Sequence, residues 1–118
     1  MMTRVFVYGT LKRGYSNSGW IRLQRFISEA ETLPVYRMYD AGGYPALVLA
    51  EGGGMAIQGE LWEVDAAGLA RLDLLEGIAE GEYERVAARL EPRFGAAEIY
   101  LWRGSVLGMP EIGSCWME

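Results

Sequence analysis

Met55-Ala56-Ile57-Gln58-Gly59-Glu60-Leu61-Trp62-Glu63-Val64-Asp65-Ala66-Ala67-Gly68-Leu69-Ala70-Arg71-Leu72-Asp73-Leu74-Leu75-Glu76-Gly77 contains the change of period on which the fold turns. From Met55 to Val64 the period is two. One face carries Met55, Ile57, Gly59 and Leu61, the other Ala56, Gln58, Glu60, Trp62 and Val64, which is a strand. Asp65 then reads as the N-cap of a helix through Glu76, and Gly77 as its stop. Downstream, Glu82 to Leu90 reads as a strand closed by Pro92, and Ala97 to Arg103 as another. The tail from Ser105 to Glu118 reads as irregular, with Trp116 as an anchor.

Upstream, Gly52-Gly53-Gly54 reads as a hairpin connection and Ala46 to Ala50 as a buried strand after the turn 41–45. Residues 28–39 favour extended structure around Pro34. Val5-Phe6-Val7-Tyr8 is a short buried strand stopped by Gly9, and Ser16 or Asn17 is read as the cap of a short helix running through Gly19-Trp20-Ile21-Arg22-Leu23 to Phe26. Strands dominate, connections are short, and the alternating order of a doubly wound parallel sheet is missing. The expectation is an α+β fold: one domain over residues 1–118, with a curled or barrel-like sheet flanked by one or two helices.

Composition narrows function by exclusion. Hydrophobic residues make up 51% of the 118 and aromatics 12%, enough apolar material to offset chain entropy. Eleven basic against sixteen acidic residues leave a net charge of −5, and the only basic pair is Lys12-Arg13, so neither nucleic acid nor an anionic membrane is expected as a partner. Histidine is absent, which excludes His-based triads and His-ligated metals. A single cysteine, Cys115, forms no intramolecular disulfide and has no histidine base to activate it. The start does not read as a signal peptide, and no apolar run reaches the roughly 18–20 residues of a membrane helix. A cytoplasmic location is the expectation.

Two segments could carry chemistry. Leu69, Leu72 and Glu76 fall at i, i+3 and i+7 on one helix face, so a carboxylate stands where an apolar residue is expected. Desolvation there would raise its pKa into the range of a proton shuttle. The alternative is that Glu76 bends outward in the last turn, or that Leu75 continues the stripe. The acids Asp73, Glu80, Glu82 and Glu84 read as solvated. The second segment is Gly9-Thr10-Leu11 after the first strand, whose backbone N–H groups could hold an anion or a developing oxyanion, or could be an ordinary turn. It is not a phosphate-binding P-loop, because Tyr15-Ser16 follows Gly14 where Lys-Ser/Thr is required. Tyr83 and Arg85 share a strand face and could line a pocket, or be core filler and a surface charge.

Taken together, Val5-Phe6-Val7-Tyr8-Gly9-Thr10-Leu11-Lys12-Arg13-Gly14, Asn17, Tyr44-Pro45-Ala46-Leu47-Val48, Gln58-Gly59-Glu60-Leu61-Trp62-Glu63-Val64-Asp65, Leu72-Asp73-x-x-Glu76-Gly77 and Tyr83-x-Arg85 resemble, in order, the motifs of the gamma-glutamylcyclotransferase-like family. The branch they resemble includes gamma-glutamylamine cyclotransferase. The resemblance implies a small mixed β-barrel flanked by helices and release of 5-oxoproline from a small gamma-glutamyl amine or amide. The substrate's α-amine would attack its own γ-carbonyl, with Glu76 as general acid/base and no metal or nucleotide cofactor. It implies substrate binding by Tyr8, Gly9, Thr10 and Leu11, and a pocket position for Tyr83. Ser18, where many relatives carry histidine, and the tail Ile112-Gly113-Ser114-Cys115-Trp116 depart from the pattern and leave the leaving amine open. Removal or transfer of a gamma-glutamyl group in a specialised pathway, and a non-catalytic module that binds a small anion on the same fold, are the competing readings.

Overall fold

Val5, Phe6, Val7 and Tyr8 are all buried, so the strand they belong to is covered on both faces. The computed structural model covers residues 1–118 and shows how. In chain order the elements are β1 (Met2–Val7), β2 (Arg25–Glu31), β3 (Tyr36–Asp40), β4 (Pro45–Leu49), β5 (Gln58–Asp65), α1 (Ala66–Leu75), β6 (Tyr83–Ala87), β7 (Glu98–Trp102) and β8 (Glu111–Ile112). Single 3-10 turns stand at Ser18–Trp20 and Pro92–Phe94. A five-stranded sheet has the order β2-β5-β1-β7-β6, and a three-stranded sheet the order β4-β3-β8. All pairs are antiparallel except β1 with β7.

Alternation along β1 sends side chains into two cores. Phe6 and Tyr8 pack with Tyr36, Met38, Leu47, Leu61 and Ile99. Val5 and Val7 pack on the opposite face with Trp62, Val64, Leu72 and Tyr100, under α1. Close approach of β5 to β1 requires Gly59: a Cβ there would lie 2.4 Å from the Val7 carbonyl oxygen and 2.6 Å from the Phe6 ring.

The expected α+β class and the helix from Asp65 are present. The Asp65 carboxylate caps α1 by accepting from the Gly68 N–H at 2.7 Å. Gln24 completes this end, its Oε1 accepting from the Asp65 N–H at 3.0 Å. At the other end Glu76 is the C-cap, and Gly77 follows at φ +65°, a left-handed conformation that glycine adopts without strain.

Three expectations are corrected. The helix read from Ser16 or Asn17 to Phe26 is only the turn Ser18–Trp20, and the Asn17 side chain caps nothing. Ser18 and Gly19 hold a helix poorly, while Phe26 and Ile27 are good strand formers that find a free edge on β5. The tail is not wholly irregular, because Glu111–Ile112 pairs with Met38 and Tyr39. Neither sheet closes by a ladder into a barrel. The five-stranded sheet curls until the extensions of its edge strands meet at one bridge, Thr32 with Leu90, beside a Leu33 N–H to Arg89 carbonyl bond of 2.9 Å. No helix is long and apolar enough to cross a membrane.

Candidate functional site

Where β1 runs out, the chain turns through Tyr8–Leu11 and forms one wall of a cavity of about 330 Å³. Gly9 is required here because the loop lies directly on Pro45; a Cβ would sit 2.6 Å from its Cγ. Asn17, which also lines the cavity, braces the loop, its amide donating to the Thr10 hydroxyl at 3.0 Å and its N–H to the Thr10 carbonyl at 2.9 Å. The N–H groups of Gly9, Thr10 and Leu11 donate to no carbonyl or side chain of the protein. They form a set of unspent donors on a cavity wall, suited to a carboxylate or carbonyl oxygen.

The opposite wall is the end of α1. Leu75 and Glu76 are both half-buried there and both line the cavity. The stripe therefore does not choose between them: the last helical turn brings both to the opening. The Glu76 carboxylate has no ion-pair or hydrogen-bond partner. Burial, and secondarily the charge of Glu82, raises its pKa from 4.5 to about 7. The negative end of the α1 dipole acts in the same direction.

Between these walls stand tyrosines whose hydroxyls are already used. Tyr8 donates to the Tyr100 carbonyl and Tyr83 to the Pro45 carbonyl at 2.6 Å. Burial raises both pKa values, so they remain neutral at ordinary pH, and the nearby Glu76 charge adds to the effect. Their rings shape the cavity; their protons are engaged elsewhere.

All six residues singled out from the sequence, Tyr8, Gly9, Thr10, Leu11, Glu76 and Tyr83, line this one cavity. Arg85 does not. Its guanidinium is forked onto Asp73 at 2.9 and 3.2 Å and also pairs with Glu98 at 2.6 Å. Asp73, expected in water, is instead half-buried and accepts from the Tyr100 hydroxyl at 2.8 Å as well. This ties α1, one turn before Glu76, to β6 and β7. Glu82 is exposed as expected, but it lines the cavity. Tyr44 and Tyr100 were not picked out as site residues; chain topology alone brings them there.

The tail braces the same loop. Lys12 is buried, with its ammonium donating to the Trp116 carbonyl at 2.8 Å, and Ser16 donates through its N–H and hydroxyl to the Glu118 carboxylate at 2.8 and 2.7 Å. Cys115 lies 3.6 Å from the Lys12 ammonium, outside the cavity. A second, more polar groove lies beside Lys12, Arg13 and Glu60, but its cations are spent: Arg13 pairs with Glu60 at 3.0 Å.

Comparison with known proteins gives one consistent result. The family described as "Gamma-glutamyl cyclotransferase, AIG2-like" matches residues 5–117. The chain is 41% identical over 103 residues to a Vibrio cholerae protein whose name assigns it provisionally to the gamma-glutamylcyclotransferases, covering 87% of this chain and 84% of that one. It is 32% identical over 111 residues to the gamma-glutamylcyclotransferase family protein YtfP of Escherichia coli K12, covering 94% and 92%. Among solved structures, an AIG2-like protein from mouse superposes with a TM-score of 0.80 at 30% identity, covering 96% of this chain and 87% of that one.

Proposed function

The chain belongs to the gamma-glutamyl cyclotransferase, AIG2-like family, and from that membership and the cavity we propose that it releases 5-oxoproline from a small gamma-glutamyl amine or amide. The observation that carries the proposal is the pairing of two things across one cavity: an unpartnered carboxylate with its pKa near 7, and three backbone N–H groups without acceptors.

The loop N–H groups of Gly9, Thr10 and Leu11 receive oxygen atoms of the gamma-glutamyl group, and the Tyr8 and Tyr83 rings confine it. Its α-ammonium then faces Glu76. As a carboxylate, Glu76 takes a proton from that ammonium. The freed amine attacks the γ-carbonyl carbon, and a C–N bond closes a five-membered ring. The tetrahedral carbon collapses, the bond to the leaving nitrogen breaks, and Glu76 hands that nitrogen its proton. A second proton follows the same route from the ring nitrogen, so the products are a lactam whose ring nitrogen is neutral, still carrying the substrate's α-carboxylate, and a free ammonium, and the Glu76 carboxylate is regenerated. Both reacting groups lie in one substrate molecule, so positioning supplies much of the rate and few protein groups are needed. A pKa near 7 lets one group serve in both directions at neutral pH. The cavity volume lies at the low end of the roughly 300–1,000 Å³ of small-molecule sites, in keeping with a small substrate.

The test is mass-spectrometric detection of 5-oxoproline from wild type and Glu76→Gln on a panel of gamma-glutamyl amines, amino acids and gamma-glutamyl-ε-lysine. Product from the wild type, reduced about 10²-fold or more in the variant, is the expected result. Full turnover by the variant refutes the role of Glu76. No product from a folded wild type, together with ligand-induced stabilisation, would favour a binding module instead.

A further inference from the structure

Sixteen residues line the cavity; two are glutamates and none is lysine or arginine. Glu76 has a use in the reaction proposed above. Glu82 has none. It follows the turn after α1, where its N–H donates to the Gly77 carbonyl at 3.1 Å. Its carboxylate lies over Gly77, where an added Cβ would sit 2.9 Å from Oε2. That carboxylate is exposed and has neither an ion pair nor a hydrogen bond, although the residue that follows, Tyr83, is a buried wall of the cavity.

An aromatic surface accompanies it. Tyr44 lines the cavity yet remains 41% exposed, its ring tilted against Trp102 at 6.3 Å. Trp102 in turn packs edge-on against Tyr83 at 5.2 Å. Tyr44 is thus propped in place with ring surface to spare, and aromatic faces attract cations.

Glu82 and Tyr44 are exposed members of a lining in which Tyr8, Gly9, Leu11 and Tyr83 are buried, so they flank the open side of the cavity, toward which the part of the substrate that leaves would project. A leaving amine that carries a carboxylate would bring a further negative charge into a cavity with two glutamates and no cation to receive it. A plain alkylamine would leave Glu82 unanswered. An amine with a second ammonium would meet both an unpaired carboxylate and an open ring face. Resting on the cyclotransferase reading, we propose that Glu82 and Tyr44 form the leaving-amine subsite and select a leaving amine that bears a second positive charge, as diamines and polyamines do.

Three gamma-glutamyl amides of matched length test this. They are made from butylamine, butane-1,4-diamine and 4-aminobutanoate, and kcat/KM is read from 5-oxoproline formation. Wild type is expected to favour the diamine over the butylamine derivative by about fivefold, the scale of a part-exposed ion pair, and to turn over the carboxylate-bearing derivative least. The preference should shrink as sodium chloride is added. Glu82→Gln should bring the diamine-to-butylamine ratio to near one, Glu82→Lys should invert it, and Tyr44→Ala should lower it. Both substrates depend on Glu76, so the ratio cancels any change in that residue's basicity. Turnover with a ratio of one in wild type, or a ratio that survives Glu82→Gln, overturns the subsite and leaves the cyclotransferase reading standing. No 5-oxoproline from any of the three overturns both.

Discussion

Replacing Glu76 by glutamine should stabilise the protein, and only above the pH at which glutamate ionises in the unfolded chain. Its pKa is near 7 in the fold against 4.5 for an ordinary glutamate. An acid whose pKa is raised by folding contributes its full stability below the unfolded value, where both states are protonated. That contribution is lost as pH rises through the folded value. Between pH 4.5 and 7 the unfolded chain ionises at Glu76 while the folded chain resists, and above pH 7 the cost of the buried charge is constant. At 1.36 kcal/mol per pH unit the gap amounts to about 3 kcal/mol. Half-burial lets water screen the charge, so about 1–2 kcal/mol is the realistic size. Glutamine keeps the shape and never ionises.

Thermal unfolding of wild type and Glu76→Gln from pH 4 to pH 9 reads this directly. The two melting temperatures should nearly coincide near pH 4, diverge from pH 4.5, and run parallel above pH 7. There the variant should be higher by about 5 °C, taking about 4 °C per kcal/mol for a chain of this length. A constant difference across the range would refute the reasoning, because an uncharged packing effect has no reason to titrate. So would a lower melting temperature for the variant at pH 8, which would mean that the ionised carboxylate is satisfied in the fold. Neither outcome depends on knowing the substrate.

The kcat/KM for 5-oxoproline release should rise with pH through an inflection near 7, as Glu76 loses its proton; a profile flat from pH 5.5 to 8.5 would separate Glu76 from the reaction. Tyr83→Phe removes the donor to the Pro45 carbonyl and should cost about 1–2 kcal/mol in denaturant unfolding, since a buried acceptor is left unpaired. Asp73→Asn loosens the fork from Arg85 and the bond from Tyr100; about 1–2 kcal/mol should be lost and KM should rise as the end of α1 gains freedom, both read by parallel unfolding and kinetics. Gly59→Ala drives a methyl group onto the Val7 carbonyl and should cost about 3 kcal/mol or prevent folding, seen as loss of soluble protein or of a cooperative melt.

What could be read from sequence follows the range of the forces involved. Strands β1, β4, β5, β6 and β7 and helix α1 were legible because their signals are local: alternation or a short apolar run, an Asp N-cap, a glycine stop. Strand β2 was not, because Arg25–Glu31 carries no such alternation and is extended only through an edge that β5 offers from 27 to 38 residues away. The same holds at the site. Gly9-Thr10-Leu11 and Glu76 could each be suspected from their own neighbourhood, yet their meeting in one cavity depends on β1 lying beside β7 and on α1 crossing that sheet. Asp73 was misread as solvated because its partners, Arg85 and Tyr100, stand 12 and 27 residues further along.

The placement of Asp73 also explains how a costly carboxylate is tolerated at position 76. A ten-residue helix is too short to hold itself together in water. It also ends on a charge that its own dipole disfavours. Left to itself, the last turn would fray and let Glu76 swing into solvent, where its pKa would return to the ordinary range. Both ends are pinned instead. Asp65 and Gln24 fix the start, and the Asp73–Arg85–Glu98 cluster fixes the helix one turn before its end, against β6 and β7. The ion pair therefore does its work at a distance from its own charges: by preventing fraying it keeps Glu76 half-buried, and that burial is what raises its pKa. The two carboxylates three residues apart have opposite fates because one faces an arginine and the other an open cavity.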